Sequence, residues 1–258
     1  HTAPLTIEYR QIDLPPVEHN QVRAKAVCSG ISAGTEALVF QGKIESGIQL
    51  DASLPELKDN TTAYPFPYGY AWVGQIEELG AEAKGLAVGD RIFAFAPHQD
   101  QHVLNAADCL LLPETLSSSK ATLLPSLETA LAIAHDAAPV AGEKICIFGQ
   151  GLIGILTTWV LSQFPLSELK AVEPNTQRHQ KSIQAGAHEA LIPEQLTQNI
   201  EADTTIEVSG NPNALSDAIK HTKANGKVVV ASWYGTRTAE INLGTHFHRG
   251  RIKLLSSQ

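Results

Sequence analysis

Three glycines and one carboxylate carry the clearest chemistry in this sequence. Gly149, Gly151 and Gly154 lie in Gly149-Gln150-Gly151-Leu152-Ile153-Gly154, and Glu173 follows further along. Glycines at this spacing between a strand and a helix cradle a dinucleotide pyrophosphate. The first turns the chain, the second lets backbone approach the phosphates, and the third lets helix pack on strand. The helix start, from Leu152 and Ile153 onward, offers free N–H groups and the positive end of its dipole. Glu173 stands where an acid accepts hydrogen bonds from the adenosine ribose hydroxyls and repels a 2′-phosphate. NAD is therefore expected in preference to NADP. Arg178 softens that preference if it stacks on adenine or meets a phosphate; otherwise it is a solvated helix residue. The plain alternative for Glu173 is an exposed carboxylate at a strand end.

The surrounding pattern supplies elements to position these groups. The run Ile145 to Phe148 reads as a strand and the apolar stretch after Gly154 as a helix. Beyond them, strands at 169–174, 188–192, 204–210, 227–235 and 251–257 alternate with helical or loop segments. One of those helices is placed at 193–199. Six strands so arranged predict an open, doubly wound parallel sheet. Ligands bind such sheets at the carboxyl ends of the strands. That nominates Ser209 and Gly210, after the fourth strand, and Ser232 and Trp233, after the fifth. The glycines there also serve as plain turns, and Trp233 as core filling.

The first half predicts an irregular β unit. Leu5 to Leu14 alternates in polarity as a half-buried strand should, and Pro15-Pro16 ends it. Further strands are expected at Gln21–Ile31, Tyr68–Leu79 and Asp90–Pro97, with one apolar run from His102 to Pro113. A short helical piece follows the turn at 32–36, and 42–60 reads as loop. Short strands with glycine and proline turns suggest a small barrel. From Ser117 the spacing turns helical, with Pro125 dividing that stretch in two. The expected domains are 1–116 and 117–258.

Composition narrows the partners. The chain has 258 residues, 43% of them hydrophobic, and a formal net charge of -8. With no basic run, nucleic acid and anionic membrane surfaces are poor partners. The apolar runs stop short of a membrane span. Cys28, Cys109 and Cys146 are odd in number and widely spaced, so neither a disulfide framework nor a cysteine zinc site is indicated. A reducing cytoplasm is the expected location, and nothing near His1 reads as a signal peptide.

Taken together, VCSGISAGTE (27–36), GYAWVGQIEELG (69–80), VGDRIFAF (88–95), SLETALAIAHDA (126–137) and GQGLIG (149–154) resemble the medium-chain dehydrogenase/reductase superfamily. The resemblance runs in that family's order across nearly the whole chain. It implies an α/β protein: an N-terminal GroES-like β-barrel and a C-terminal Rossmann domain, with the active site between them. It implies a small-molecule substrate, a homodimer, and a further C-terminal segment returning to the barrel. The sequence ends at Gln258 directly after a strand, as a fragment would.

Departures from the family concern zinc. Zinc-dependent members carry a cysteine where Ser32 aligns and His-Glu where Tyr70-Ala71 stands, and a third ligand near 125–127 that is missing here. No metal site is expected. The resemblance makes Tyr70 the leading group to polarise a carbonyl or take a hydroxyl proton, with Ser32 and Thr35 as relays. Each also has a packing or turn-capping role. It sets Thr129 against the nicotinamide and Ile153 on its ring. His98 and His102 are acid/base candidates, or ordinary surface histidines. Glu128 is catalytic or a helix-dipole partner, and His246-x-His248 lacks a third ligand. The expected activity is zinc-independent hydride transfer between NAD(H) and an alcohol or carbonyl carbon. A quinone or enone reductase is the alternative enzyme, and a nucleotide-binding redox sensor the alternative class.

Overall fold

The protein was analysed as a computed structural model, which describes residues 1–49, 61–196 and 199–258. Two compact units emerge, His1–Pro125 and Ser126–Gln258. In the first, β1 (Gln21–Ser29), β2 (Trp72–Leu79), β3 (Arg91–Ala94), β4 (Gln101–Asn105) and β5 (Leu110–Leu111) form a GroES-like antiparallel sheet in the order β4-β1-β2-β3-β5. Helix α1 (Thr35–Phe40) follows β1. Alternate residues Val22 and Ala24 of β1 are fully buried with Trp72, Ile76, Ile92 and Leu104. Burial of one face of each strand fixes register, because a one-residue slip would expose the whole set.

Three expectations for this unit are corrected. Residues 5–14 form no strand: Leu5, Ile7 and Tyr9 are 67%, 63% and 101% exposed. Their alternation has no neighbouring strand to pair with among the described residues. The run from His102 is two strands, parted by a single helical turn at Ala106–Asp108. The helical stretch falls into two pieces as expected, the break coming at 122–123, just before Pro125. α2 (Ser118–Ala121) ends before it, and α3 (Leu124–Ala137) carries it in its first turn. There a missing N–H costs nothing. The unit boundary falls after α2 instead of at 116. Ala121 is buried with Ala71, Val73 and Phe93, and Arg91 donates to the Ser118 hydroxyl. The loop expected at 42–60 lies outside the described residues from 50 onward.

In the second unit six strands are all parallel: β6 (Lys144–Phe148), β7 (Glu168–Val172), β8 (Glu189–Leu191), β9 (Ala202–Glu207), β10 (Thr222–Val230) and β11 (Lys253–Ser256). Their order, β11-β10-β9-β6-β7-β8, is that of the dinucleotide-binding doubly wound sheet. Ile145 and Ile147 of β6 pack with α3 and with Leu161, while Cys146 and Phe148 pack with Leu215 and Ile219. Burial on both faces explains why this strand is apolar from Ile145 to Phe148. The helices α4 (Leu152–Leu161), α5 (His179–Gln184) and α6 (Ala214–Lys220) complete the unit. Only a turn at Pro193–Gln195 stands in the described part of the helix expected at 193–199. α6 stops at Lys220, where β10 begins earlier than its apolar core.

Candidate functional site

Register brings the candidate cofactor residues together. Phe148 pairs with both Val172 and Glu207, so β7, β6 and β9 end side by side. Gly149 then turns the chain at φ +100, and its N–H donates to the Val172 carbonyl at 2.8 Å. A Cβ on Gly149 would lie 2.4 Å from Ser209 Cα, and one on Gly154 would lie 2.0 Å from the Gly149 carbonyl oxygen. Both glycines are dictated by close backbone contact. Gly151 differs: a Cβ there would meet nothing within 4 Å. It caps α4 with no side-chain bond, leaving an open approach to the helix start. Leu152 is half exposed, and Ile153 packs on the unit's core.

Glu173 is no exposed strand-end acid. It is 4% exposed; one oxygen accepts the Gln150 N–H at 2.7 Å, and the other accepts the Asn175 N–H at 2.9 Å. Arg178 reaches the first oxygen at 3.4 Å while remaining half exposed. The carboxylate thus braces the glycine turn, and lone pairs remain on it for further donors.

The β9 and β10 ends are joined by an unforeseen group. Glu207, fully buried, accepts the Ser209 N–H at 2.8 Å, the Ser209 hydroxyl at 2.5 Å, and the Tyr234 hydroxyl. Burial, and then the Glu207 charge, push the Tyr234 phenol far above its ordinary range. The Ser232 hydroxyl accepts the Gly210 N–H at 2.8 Å. Gly210 and Gly235 sit at φ +72 and +63, so both do turn the chain. Trp233 is 44% exposed, which rules out the core-filling alternative. Thr129 is half-buried on α3.

In the first unit the four proton-handling candidates gather round a residue outside the predicted set. Glu36, 5% exposed on α1, accepts the Ser32 N–H at 2.8 Å and meets His98 Nε2 at 2.7 Å. His98 Nδ1 lies 2.8 Å from the Ser29 hydroxyl. Burial raises the Tyr70 phenol, the neighbouring Ser32 and Thr35 side chains pull it back in part, and the Glu36 charge adds to the rise. The packing and capping readings hold as well: Tyr70 meets Tyr68 edge-on, and the Thr35 N–H donates to the Ser32 hydroxyl. His102 stays apart, buried edge-on against Trp72 with Nε2 on the Pro97 carbonyl. Glu128 is exposed, and His246 Nε2 is bonded to the Thr222 carbonyl.

Glu36 had one signal in the sequence, the lone acid of a short and mostly apolar helix, whereas the strand of Glu207 also carries Asp203 and two threonines. That signal names no partner. The donor set does not fit zinc. Positions 32, 70 and 71 offer hydroxyl, phenol and methyl, and Glu36 and His98 are bonded to each other. Among the described residues no three His, Cys, Asp or Glu side chains converge for a metal.

An antiparallel GroES-like unit followed by a Rossmann-like parallel sheet with a glycine turn defines the class by fold, that of the α/β alcohol dehydrogenase-like proteins. No family model matches the chain. In sequence it is 26% identical over 263 residues to the (R,R)-butanediol dehydrogenase of Bacillus subtilis (strain 168), covering 88% of this chain and 74% of that protein. It is 25% identical over 205 residues to the D-guloside 3-dehydrogenase of Escherichia coli (strain K12), covering 75% of this chain and 59% of the relative. The crystal structure of 2R,3R-butanediol dehydrogenase from Bacillus subtilis shares the fold, with TM-score 0.80 at 22% identity over 99% of this chain and 82% of that one. In sequence and in fold the chain resembles the medium-chain dehydrogenase/reductase superfamily, the alcohol dehydrogenase-like oxidoreductases.

Proposed function

We propose that this chain is a zinc-independent oxidoreductase that moves hydride between NAD(H) and an alcohol or carbonyl carbon. The carrying observation is the turn at 149–154: open at Gly151, closed at Gly149 and Gly154, and braced by Glu173. Gly151, Leu152 and Ile153 at the α4 start would hold the pyrophosphate, and Glu173 the adenosine ribose. Ser209, Gly210, Ser232, Trp233 and Thr129 would line the nicotinamide end. A bound nicotinamide dinucleotide supplies or accepts the hydride. The accompanying proton is handled in the first unit, where Tyr70 with Ser32 and Thr35 bonds the reacting oxygen and His98 serves as acid/base. Without thiolate or a third ligand at the aligned positions, this polar group takes the place of a Lewis acid.

Arg178 favours a second reading. Its half-exposed guanidinium beside Glu173 is a cation of the kind that meets a 2′-phosphate. It supports relaxed NAD/NADP use and the quinone or enone reductase alternative. The three free cysteines, far apart in sequence, agree with a reducing cytoplasm. No helix among the described residues is long and apolar enough to cross a membrane.

The test combines NADH and NADPH fluorescence titration with turnover on a panel of alcohols, carbonyls, quinones and enones. Glu173→Ala is expected to weaken NADH binding about tenfold, the equivalent of 1.4 kcal/mol, and to narrow the preference over NADPH. Unchanged affinity for both would remove the ribose assignment. Tyr70→Phe should cut kcat and leave NADH affinity intact. Binding without any turnover would favour the sensor reading.

A further inference from the structure

We infer that Glu36 is a positioning residue. It fixes His98 with Nε2 protonated and Nδ1 bare, so that the imidazole accepts the reaction's proton through the Ser29 hydroxyl. The inference rests on the proposed function for its role in turnover, but its geometry stands apart from that reading.

Glu36 lies on α1 next to Leu38 and Val39, both buried, where an unpaired carboxylate would be heavily penalised. Both of its oxygens are used. One takes the Ser32 N–H, and the other faces His98 Nε2 at 2.7 Å. An ionised carboxylate only accepts, so Nε2 must carry the hydrogen. A neutral imidazole then has its lone pair on Nδ1, and the Ser29 hydroxyl, 2.8 Å away, donates to it. Ser29 ends β1 at an exposed position, which gives the array an outlet to water.

The seat for His98 is built by the backbone. Its N–H donates to the Tyr68 carbonyl at 3.1 Å, and Gly69 stands at φ +126. A Cβ there would lie 2.7 Å from the His98 ring, so only glycine leaves room for it. The same carboxylate that orients the imidazole also holds the amide of Ser32, whose side chain neighbours the Tyr70 phenol. One buried acid thereby sets both halves of the proton-handling group. In alcohol oxidation the O–H bond breaks as the hydride leaves carbon, releasing one proton. His98 takes a proton at Nδ1 from Ser29, the imidazolium is stabilised by Glu36, and Ser29 is reprotonated by the released proton. Deprotonation of Nδ1 to water restores the array, and reduction runs the same transfers backwards.

Nitrogen-15 NMR of the full-length protein labelled at histidine reads the tautomer directly, with His98→Asn assigning the resonance. The wild type is expected as the Nε2–H form. Glu36→Gln places an amide N–H against Nε2 and should convert His98 to the Nδ1–H form. It should also lower kcat about 100-fold with NADH affinity unchanged, and Glu36→Asp should recover part of that loss. An Nδ1–H tautomer in the wild type would overturn the inference, and so would a folded Glu36→Gln protein with unaltered kcat. The wild-type tautomer decides even if the Gln variant does not fold. Failure of the wild type to bind NADH would sink the proposed function and leave the tautomer result standing.

Discussion

The Gly149 carbonyl oxygen lies against Gly154 so closely that a methyl group there would sit 2.0 Å away. This contact presses the first turn of α4 onto the end of β6. It leaves Gly151, two residues before Ile153, facing open space. The turn therefore contains glycines of two physical kinds, and they separate under mutation.

Gly154→Ala should destabilise the protein. Alanine in a helix interior is worth about 1 kcal/mol over glycine, so an uncrowded site would gain stability. Here the methyl meets a backbone oxygen that cannot rotate away, and overpacking of this kind costs about 1–3 kcal/mol. The clash is expected to win. A lowered urea midpoint with weakened NADH binding is the expected result; a raised midpoint would show that α4 can shift freely.

Gly151→Ala should do the reverse. Nothing lies within 4 Å of the added carbon, and the residue already has a negative φ of -70. Alanine is a poorer helix cap than glycine, by about 1 kcal/mol or less. Stability should change little, while NADH affinity should fall more than tenfold as the methyl fills the approach to the helix start. Equal affinity would mean that no phosphate comes near this residue.

These glycines were legible because the strand–turn–helix context is local and its spacing narrow. The parallel sheet was legible too: residues 145–148 of β6, buried on both faces, are apolar without interruption. Residues 5–14 misled because alternation states only that a strand would be amphipathic. It does not state that a partner strand is available. Glu36 and Glu207 were invisible for a related reason. An acid's role is set by partners, and these lie 62 and 27 residues away, at His98 and Tyr234. Tyr70, Ser32 and Thr35 came from aligned positions; that they converge on one carboxylate is a property of the fold alone.

Glu207→Gln tests the second buried acid. Its carboxylate accepts from the Ser209 N–H, the Ser209 hydroxyl and the Tyr234 hydroxyl, three donors with no donor of its own to place. A carboxamide turns two N–H groups toward that ring of donors and leaves at least one buried group unpaired. The expected cost is about 1–3 kcal/mol, read as a lower urea midpoint. NADH affinity should fall with it, because Ser209 loses the anchor that holds it against Gly149. A variant as stable as the wild type would show that the Ser209 turn does not depend on this acid.

The first unit should lose stability as pH falls below neutrality, and His102 should be a cause. Burial lowers its pKa from 6.5, against smaller opposing effects of the Pro97 carbonyl and Asp100. Above pH 6.5 the ring is neutral in both folded and unfolded chains and contributes no slope. Below it the unfolded chain takes the proton first, so unfolding is favoured progressively until the folded ring also protonates. One such group gives a slope approaching 1.4 kcal/mol per pH unit, or about tenfold in the folding equilibrium. His221, also lowered by burial and by the Lys220 charge, adds to the slope in the second unit. Urea midpoints measured from pH 7.5 to 5 on the wild type and on His102→Gln should diverge near neutrality and converge in acid. Parallel curves would assign the acid sensitivity to other groups.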